Sequence, residues 1–322
     1  MTAMKKRASP PTLWLGLQLI LWLSVLACTL ALIGIGSRSP SPAALVEVPF
    51  SGTPKIAFLF LARSNLPLDF LWHAFFQNAE EDKYSIYVHS EPGFVFDRTT
   101  TRSPFFFGRQ IQDSIKVVWG EATMIEAERL LFAAALKDPA NRRFALISDS
   151  CVPLYNFSYI YNYVMSSSKS FVDSFLDKRE GRYNPKMFPT IPKDRWRKGS
   201  QWTILVRKHA QIVVADTVVF PEFRRFCKRR IEPVLGGKQN HKEAAQKEHN
   251  CIPDEHYMQT LLSNINHIYY ETEYRTEWCQ CNATFVPCFL FARKFSRSAA
   301  MRILKEGLIG PFDAGAVLFT SS

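Results

Sequence analysis

A chain of 322 residues with 47% hydrophobic and 21% charged residues is long enough for one large domain or two small ones, and too apolar to be disordered throughout. Its formal net charge of +11 admits a nucleic-acid, membrane-surface or phosphate-bearing partner, and the order of its segments narrows that choice. Of the seven cysteines, Cys28 lies in an apolar run and the rest (Cys151, Cys227, Cys251, Cys279, Cys281, Cys288) follow it, an even set that favours disulfides in an oxidising compartment.

Residues 1–12 read as a short tail carrying Lys5, Lys6 and Arg7. From Leu13 to Ile35 the chain is uncharged, with Gln18 its strongly polar residue, and is long enough to cross the ~30 Å hydrocarbon core as a helix. A signal peptide has an apolar region of about 7–15 residues, so an uncleaved membrane anchor over 13–36 is favoured over a cleaved one. The cations before the run outnumber Arg38 after it, which leaves the tail in the cytosol and everything after residue 36 on the lumenal side. That topology removes nucleic acid from the candidate partners. The triplets Asn156-Phe157-Ser158 and Asn282-Ala283-Thr284 are glycosylation acceptors consistent with it. Residues 37–54, rich in Ser, Pro and Ala, read as a stem, and 55–322 as the lumenal domain.

In that domain Ile56–Leu61 is a continuous apolar run of strand length, and Pro67 opens a helix through Phe70, Leu71 and Phe75. Tyr84–His89 reads as a second strand and Ile115–Val118 as a third. Apolar residues at helical spacing (Ala122, Ile125, Leu130, Leu131, Ala134) predict a helix over Glu121–Leu136, followed by a strand at Phe144–Ile147. Strands alternating with helices imply an α/β fold with a mostly parallel sheet covered on both faces. The second half is less regular. Gly181–Ser200, with Pro185, Pro189 and Pro192 among Arg182, Lys186, Lys193, Arg195, Arg197 and Lys198, reads as a long basic loop. Trp202–Val206 reads as strand, Pro221–Ile231 as a basic helix and Gly236–Asn250 as a polar loop. Asp254–Leu262 reads as helix, His267–Tyr270 and Phe289–Ala292 as strands, and Ser296–Glu306 as a last helix.

Ligands of open α/β sheets bind beyond the carboxyl ends of the strands, and Phe144–Ile147 runs directly into Ser148-Asp149-Ser150-Cys151. Asp149 is therefore a candidate at the edge of a site, the alternative being a plain turn or cap. Asp254 and Glu255 open a predicted helix, where carboxylates stabilise the macrodipole by roughly 0.3–1 kcal/mol without doing chemistry. The functional alternative is that one of them is a general base. No Asp-x-Asp occurs anywhere in the chain, so a diphosphate ligand would have to be neutralised by cations. Cys279, Cys281 and Cys288 with His267 could mimic zinc ligands, but the second Cys pair of a structural zinc site is missing and disulfides are favoured. Cys151 has no partner His indicated by sequence and is not read as a nucleophile.

Taken together, Lys55–Ala62, Tyr84–Ser90, Ser148–Leu154, Cys251–Tyr257 and Leu290–Phe295 resemble, in order, motifs of the core-2/I-branching β-1,6-N-acetylglucosaminyltransferase-like family, its plant branch in particular, over Lys55 to Glu306. The resemblance implies a modified nucleotide-diphospho-sugar transferase fold (GT-A-like, Rossmann-like) on a Golgi type II protein. It also implies inversion at the anomeric carbon without cofactor or divalent metal, which agrees with the missing Asp-x-Asp. The implied reaction carries a sugar, N-acetylglucosamine foremost, from a UDP-sugar to a hydroxyl of a glycan or glycoprotein acceptor. By the same resemblance Glu255 is the general base and Lys294 holds the departing diphosphate, with Arg275 the best match for a second cation. Arg63, His89 and Glu91 would surround uridine, and Asp149, Lys198 and Trp202 would line the donor and acceptor sides. A silent, membrane-anchored protein that binds glycans or partner transferases is the alternative. The chain departs from the family where Thr260–Ser263 runs directly into Asn264–His267, relatives carrying a longer, Trp-containing stretch: a shortened chain, with weakened acceptor transfer and stability, is expected, the alternative being a compact loop in this branch.

The topology is testable in microsomes. The C-terminus should resist protease until the membrane is opened, and glycosidase should lower the mass of the chain through Asn156 or Asn282. Digestion of the C-terminus in intact microsomes would refute the anchor.

Overall fold

The computed structural model describes residues 22–25, 50–177, 181–227, 251–263, 268–269, 280–281, 284–285 and 289–306. The chain divides into two compact units, Met1–Val48 and Pro49–Ser322. In the first, residues 22–25 are helical; the remainder of the expected anchor at 13–36 lies outside the described residues. Among the described residues no helix is long and apolar enough to cross a membrane.

The second unit runs β1 (Lys55–Leu61), α1 (Asp69–Phe76), β2 (Tyr84–His89), α2 (Thr123–Leu136), β3 (Asn141–Ser148), β4 (Val152–Pro153), α3 (Phe157–Ser166), β5 (Ser170–Phe171), β6 (Phe175–Leu176), β7 (Arg197–Lys198), β8 (Ile204–Val206), α4 (Arg207–Ala215), α5 (Val219–Phe226), α6 (Tyr257–Leu262), β9 (Ile268–Tyr269), β10 (Gln280–Cys281), β11 (Thr284–Phe285), β12 (Phe291–Ala292) and α7 (Arg297–Glu306). Among the described residues the main sheet has the order β2-β1-β3-β8-β5-β9. β1 pairs in parallel with β2 on one side and β3 on the other, with Phe60 opposite Val88 and Ile147. β8 is antiparallel to β3 and β5 to β8, and β9 is parallel to β5. Two successive antiparallel pairings through β8 bring β5 and β9 back to the direction of β1, β2 and β3, so among the described residues the sheet is mostly parallel, as expected, with β8 the one strand that opposes the rest.

The run Ile56–Leu61 is apolar without alternation because both of its faces are covered. Ile56, Phe58 and Phe60 point to one side, where they meet Trp72, Phe75 and Phe76 of α1 and Phe157, Ile160 and Val164 of α3. Ala57, Leu59 and Leu61 point to the other, against Leu131 and Phe132 of α2, Ala210 and Val213 of α4, and Tyr257 and Met258 of α6. The first layer is built of rings set edge to face, as their quadrupoles prefer: Phe60 meets Trp72 at 4.9 Å between centroids and Phe58 meets Phe76 at 5.2 Å. Each such buried side chain stabilises the fold by about 1.5–3 kcal/mol. In the second layer Arg129 of α2 donates to the Tyr257 hydroxyl at 2.8 Å and lies 3.7 Å from Asp216 Oδ2, while both Asp216 oxygens accept from the first N–H groups leading into α5. That cluster ties α2, α5 and α6 into one body.

Several expectations are corrected. Ile115–Val118 is irregular, because its backbone meets a side chain, His89, rather than a neighbouring strand. Trp202 and Thr203 precede β8 rather than belong to it, and the basic stretch Gly181–Ser200 contains two 3-10 turns and β7, which pairs with β6. The helix expected over Pro221–Ile231 begins at Val219 and is capped after Phe226 by Cys227. The helix expected from Asp254 starts at Tyr257, after a 3-10 turn over Pro253–Glu255, because Ile252 takes a left-handed backbone with φ of 48°. Cys227 pairs with Cys251, whereas Cys151 is free and buried, its thiol lying 3.0 Å from the Ser148 hydroxyl. Cys279, Cys288 and the side chain of Cys281 lie outside the described residues, as do Gly236–Asn250 and the connection following Ser263.

Replacing Cys227 and Cys251 together by Ser is expected to lower stability by about 3 kcal/mol, the loop-closure figure for a separation of 24 residues. Denaturant titration of the oxidised protein and the double variant measures it, and superimposable curves would show that the bond constrains nothing.

Candidate active site

The parallel strands β1, β2 and β3 end side by side, and their backbone ladder continues one step beyond them: Ala62 N–H donates to His89 O at 2.9 Å and Glu91 N–H to Arg63 O at 2.8 Å. This brings Arg63, His89 and Glu91 to one edge. His89 is 1% exposed, and burial pushes its pKa down to about 4. Its Nε2 accepts from Ile115 N–H at 3.1 Å, which leaves the proton of the neutral ring on Nδ1. The segment that the sequence suggested as a strand is thus fastened across the strand ends by a histidine. Beyond β3 the chain folds tightly on Ser148, whose hydroxyl lies 3.2 Å from that of Ser150 and whose carbonyl accepts from Cys151 N–H at 3.2 Å. Trp72 Nε1 donates to Cys151 O at 3.2 Å, so the aromatic core itself holds this turn.

Two further segments close the site. β12 pairs antiparallel with β4, and Phe295 N–H donates to Ser150 O at 3.1 Å, which presses Arg293 and Lys294 against the turn after β3. The guanidinium of Arg293 lies over the ring of Trp202, 4.6 Å from its centroid. On the facing side Gly199 N–H donates to Glu255 O at 2.9 Å, Ser200 N–H to Asp173 Oδ2 at 3.1 Å, and Gln259 Nε2 to Ser200 O at 2.6 Å. A Cβ at Gly199 would lie 1.8 Å from Asp173 O, so only glycine permits this approach.

Glu255 ends the 3-10 turn that the Cys227–Cys251 disulfide leads into. Left-handed Ile252 costs of order 1–3 kcal/mol, and its carbonyl accepts from His256 Nδ1–H at 3.0 Å. His256 is completely buried, stacks on Trp196 at 4.6 Å, and is pushed down to about 4 by that burial. The turn leaves the Glu255 carboxylate 40% exposed, with Lys198 Nζ 3.7 Å from Oε2. Behind it Asp254 is buried and raised to about 6, chiefly by desolvation. Glu128 of α2, enclosed and accepting from Gln201 Nε2 at 2.6 Å, is raised well above the usual carboxylate range by desolvation and by Asp254.

These pieces surround one cavity of about 990 Å³, at the upper end of the range for small-molecule sites. Of the residues singled out from sequence, Arg63, His89, Glu91, Asp149, Trp202, Glu255 and Lys294 line it, and Lys198 touches it through Glu255. Arg275 and Asn282 lie outside the described residues. Asn156 stands apart from the cavity as the cap of α3, its Oδ1 accepting from Tyr159 N–H at 2.8 Å. Lys116, Trp119 and Arg293 line the cavity but were missed. Arg293 was legible as the neighbour of Lys294, and Glu128 as an acid on the apolar stripe of a predicted helix. Lys116 and Trp119 were hidden by the strand reading. Among the described residues no group of three or more His, Cys, Asp or Glu is placed to hold a metal ion.

A carboxylate open to a cavity that also presents Arg63, Lys116, Arg293 and Lys294 can take a proton from a hydroxyl while cations stabilise an anion nearby, which is the equipment of a group-transferring enzyme. Comparison makes the class specific. Residues 56–297 match the family model described as Core-2/I-Branching enzyme, and the chain belongs to that family: it is a glycosyltransferase. It is 49% identical over 318 residues to glycosyltransferase BC10 of Oryza sativa subsp. japonica, a match covering 83% of this chain and 80% of that protein. The crystal structure of A197 from STIV aligns over 48% of this chain and 67% of that chain, with 9% identity and a TM-score of 0.23, a likeness too slight to bear on the fold.

Gly199→Ala is expected to cost about 1–3 kcal/mol, since the Cβ must displace a backbone carbonyl. It should also misplace Glu255 through their shared hydrogen bond. Thermal melting and turnover measured together check this, and a variant unchanged in both would contradict the close approach.

Proposed function

We propose that this glycosyltransferase is an inverting, metal-independent enzyme that moves a sugar, N-acetylglucosamine foremost, from a UDP-sugar to a hydroxyl of a glycan or glycoprotein acceptor. The observation that carries the reading is the placement of Glu255 and Lys294 on the lining of one cavity at the ends of three parallel strands. Glu255 accepts the acceptor's hydroxyl proton, and the oxygen attacks the anomeric carbon. The bond from that carbon to the diphosphate oxygen breaks, and its electron pair leaves with the UDP. Lys294 stabilises the charge that develops there, doing with a fixed ammonium what a metal does elsewhere. Lys198, close to the base, orients the carboxylate. Uridine rests at Arg63, His89 and Glu91, and Asp149 and Trp202 flank the sugar. Arg275 remains the second cation implied by the family resemblance.

The fold is taken as the modified nucleotide-diphospho-sugar transferase type, for which the parallel strands β1 to β3 and the site at their carboxyl edge are the support. The enzyme is placed in the Golgi membrane as a single-pass type II protein anchored through 13–36, with Asn156 and Asn282 glycosylated. The uncharged run and the preceding Lys5, Lys6 and Arg7 support this. Asn156 capping α3 through Oδ1 leaves its Nδ2 as the atom for modification.

Glu255→Gln is expected to keep UDP binding and lower turnover by about 10²–10⁴, the usual general-base contribution. Lys294→Ala should weaken UDP binding, and EDTA should change neither. UDP release from a panel of UDP-sugars reads turnover and calorimetry reads binding. Activity lost in EDTA and restored by manganese would overturn the metal-free mechanism, and full turnover in Glu255→Gln would overturn the base.

A further inference from the structure

His256 follows the proposed base directly in sequence, yet it is completely buried and does not line the cavity. The slot it fills is aromatic: the imidazole stacks on Trp196 with 4.6 Å between centroids, and Trp196 stacks in turn on Phe223 at 5.3 Å. A hydrocarbon ring would fill such a slot without burying polar atoms, whereas imidazole buries two nitrogens. Nδ1 lies 3.0 Å from Ile252 O, and a carbonyl can only accept, so Nδ1 carries the proton of the neutral ring. Nε2 has no hydrogen-bond partner among the described residues, and Asp177 Oδ2 faces it at 3.7 Å. In the neutral ring this sets a lone pair toward a carboxylate, which is unfavourable. What imidazole adds to the slot, against that cost, is its one bond to Ile252 O.

That carbonyl is the pivot of the turn that carries the base. Ile252 holds φ at 48° and ψ at 71°, a left-handed conformation that a β-branched residue adopts only where its surroundings impose it. The same oxygen accepts from Glu255 N–H at 3.1 Å, and Glu255 O accepts from Gly199 N–H at 2.9 Å. The backbone of Glu255 is thus gripped on both sides, and the grip on its N–H depends on a carbonyl that the next side chain holds. We propose that His256 is a positioning residue for Glu255, acting through the bond from Nδ1–H to Ile252 O rather than as filler of its slot. The inference rests on the reading of Glu255 as general base and deepens it. Without the bond Ile252 is free to leave the left-handed region, Glu255 N–H loses its acceptor, and the carboxylate shifts in the cavity. A displacement of about 1 Å between reacting groups costs on the order of 10²-fold in rate. Donor affinity, supplied by other segments of the wall, is left alone.

Two substitutions separate the bond from the packing. His256→Phe keeps a ring on Trp196 and removes the donor, whereas His256→Asn keeps a donor, its Nδ2 replacing Nδ1, and empties much of the slot. For each full chain, UDP release from UDP-N-acetylglucosamine, UDP affinity by calorimetry and thermal melting are measured, the first two below both melting transitions. His256→Phe is expected to lower kcat by about 10- to 100-fold, with KM and UDP affinity within about twofold of wild type. His256→Asn is expected to melt below His256→Phe and yet turn over faster, so that the order of activity reverses the order of stability. In a Glu255→Gln background, adding His256→Phe should cost nothing further, because the group it positions is gone. Wild-type turnover in His256→Phe, activity that follows melting temperature across the two variants, or an undiminished effect in Glu255→Gln would overturn the inference and leave the base standing. If wild type and Glu255→Gln release UDP at the same rate, or wild type releases none, the reading of Glu255 falls and the inference with it.

Discussion

The structure depends on one strand being buried on both faces. β1 has helices on either side, and its backbone groups are taken up by β2 and β3, so it has no freedom to shift in register without moving aromatic rings out of one layer and small aliphatic chains out of the other. Because the three strands run the same way, their carboxyl ends are forced to open at one edge. Backbone groups there have no further strand to pair with and are met instead by loops and side chains. The His89 ring holding Ile115 and the Trp72 indole holding Cys151 are both solutions to that shortage, and both are anchored in the core rather than in the loops they serve.

The cavity wall is also a balance of like and unlike charges. Glu91, Asp149, Asp254 and Glu255 share it with Arg63, Lys116, Arg293 and Lys294, so it is not simply a basic pocket for an anion. Asp254 in the wall and Glu128 behind it are buried, and desolvation raises both above the usual carboxylate range. Glu255 is more exposed and lies next to Lys198. Neighbouring residues in sequence therefore differ in character because a single 3-10 turn sends one inward and the next outward.

Strands β1 to β3 were legible because a strand covered on both faces announces itself as an unbroken apolar run, and because helices α1 and α2 between them carry their apolar residues at helical spacing. What hid the rest was pairing over distance. β5, β6, β7 and β12 are two residues long and owe their existence to partners elsewhere in the chain, so no local pattern marks them. The Ile115–Val118 stretch misled for the opposite reason: it has the composition of a strand, but its place in the ladder is taken by an imidazole. In the site, residues sitting in recognisable motifs were found, whereas Lys116 and Trp119 reach the cavity only through that fastening. The Cys227–Cys251 pair was one possibility among many, decided by α5 ending beside the turn that carries Glu255.

The same cystine gives the chain a property of its own as a covalent object. The bond between Cys227 and Cys251 closes residues 228–250 into a covalent ring, so a peptide bond cut anywhere within them leaves one molecule, and its two pieces part only under a reductant. The polypeptide can thus begin and end afresh inside that ring while Glu255 keeps its tether to α5. For a chain opened within that span, the bond between Cys227 and Cys251 replaces the lost peptide link as the covalent route from α5 to the turn bearing Glu255.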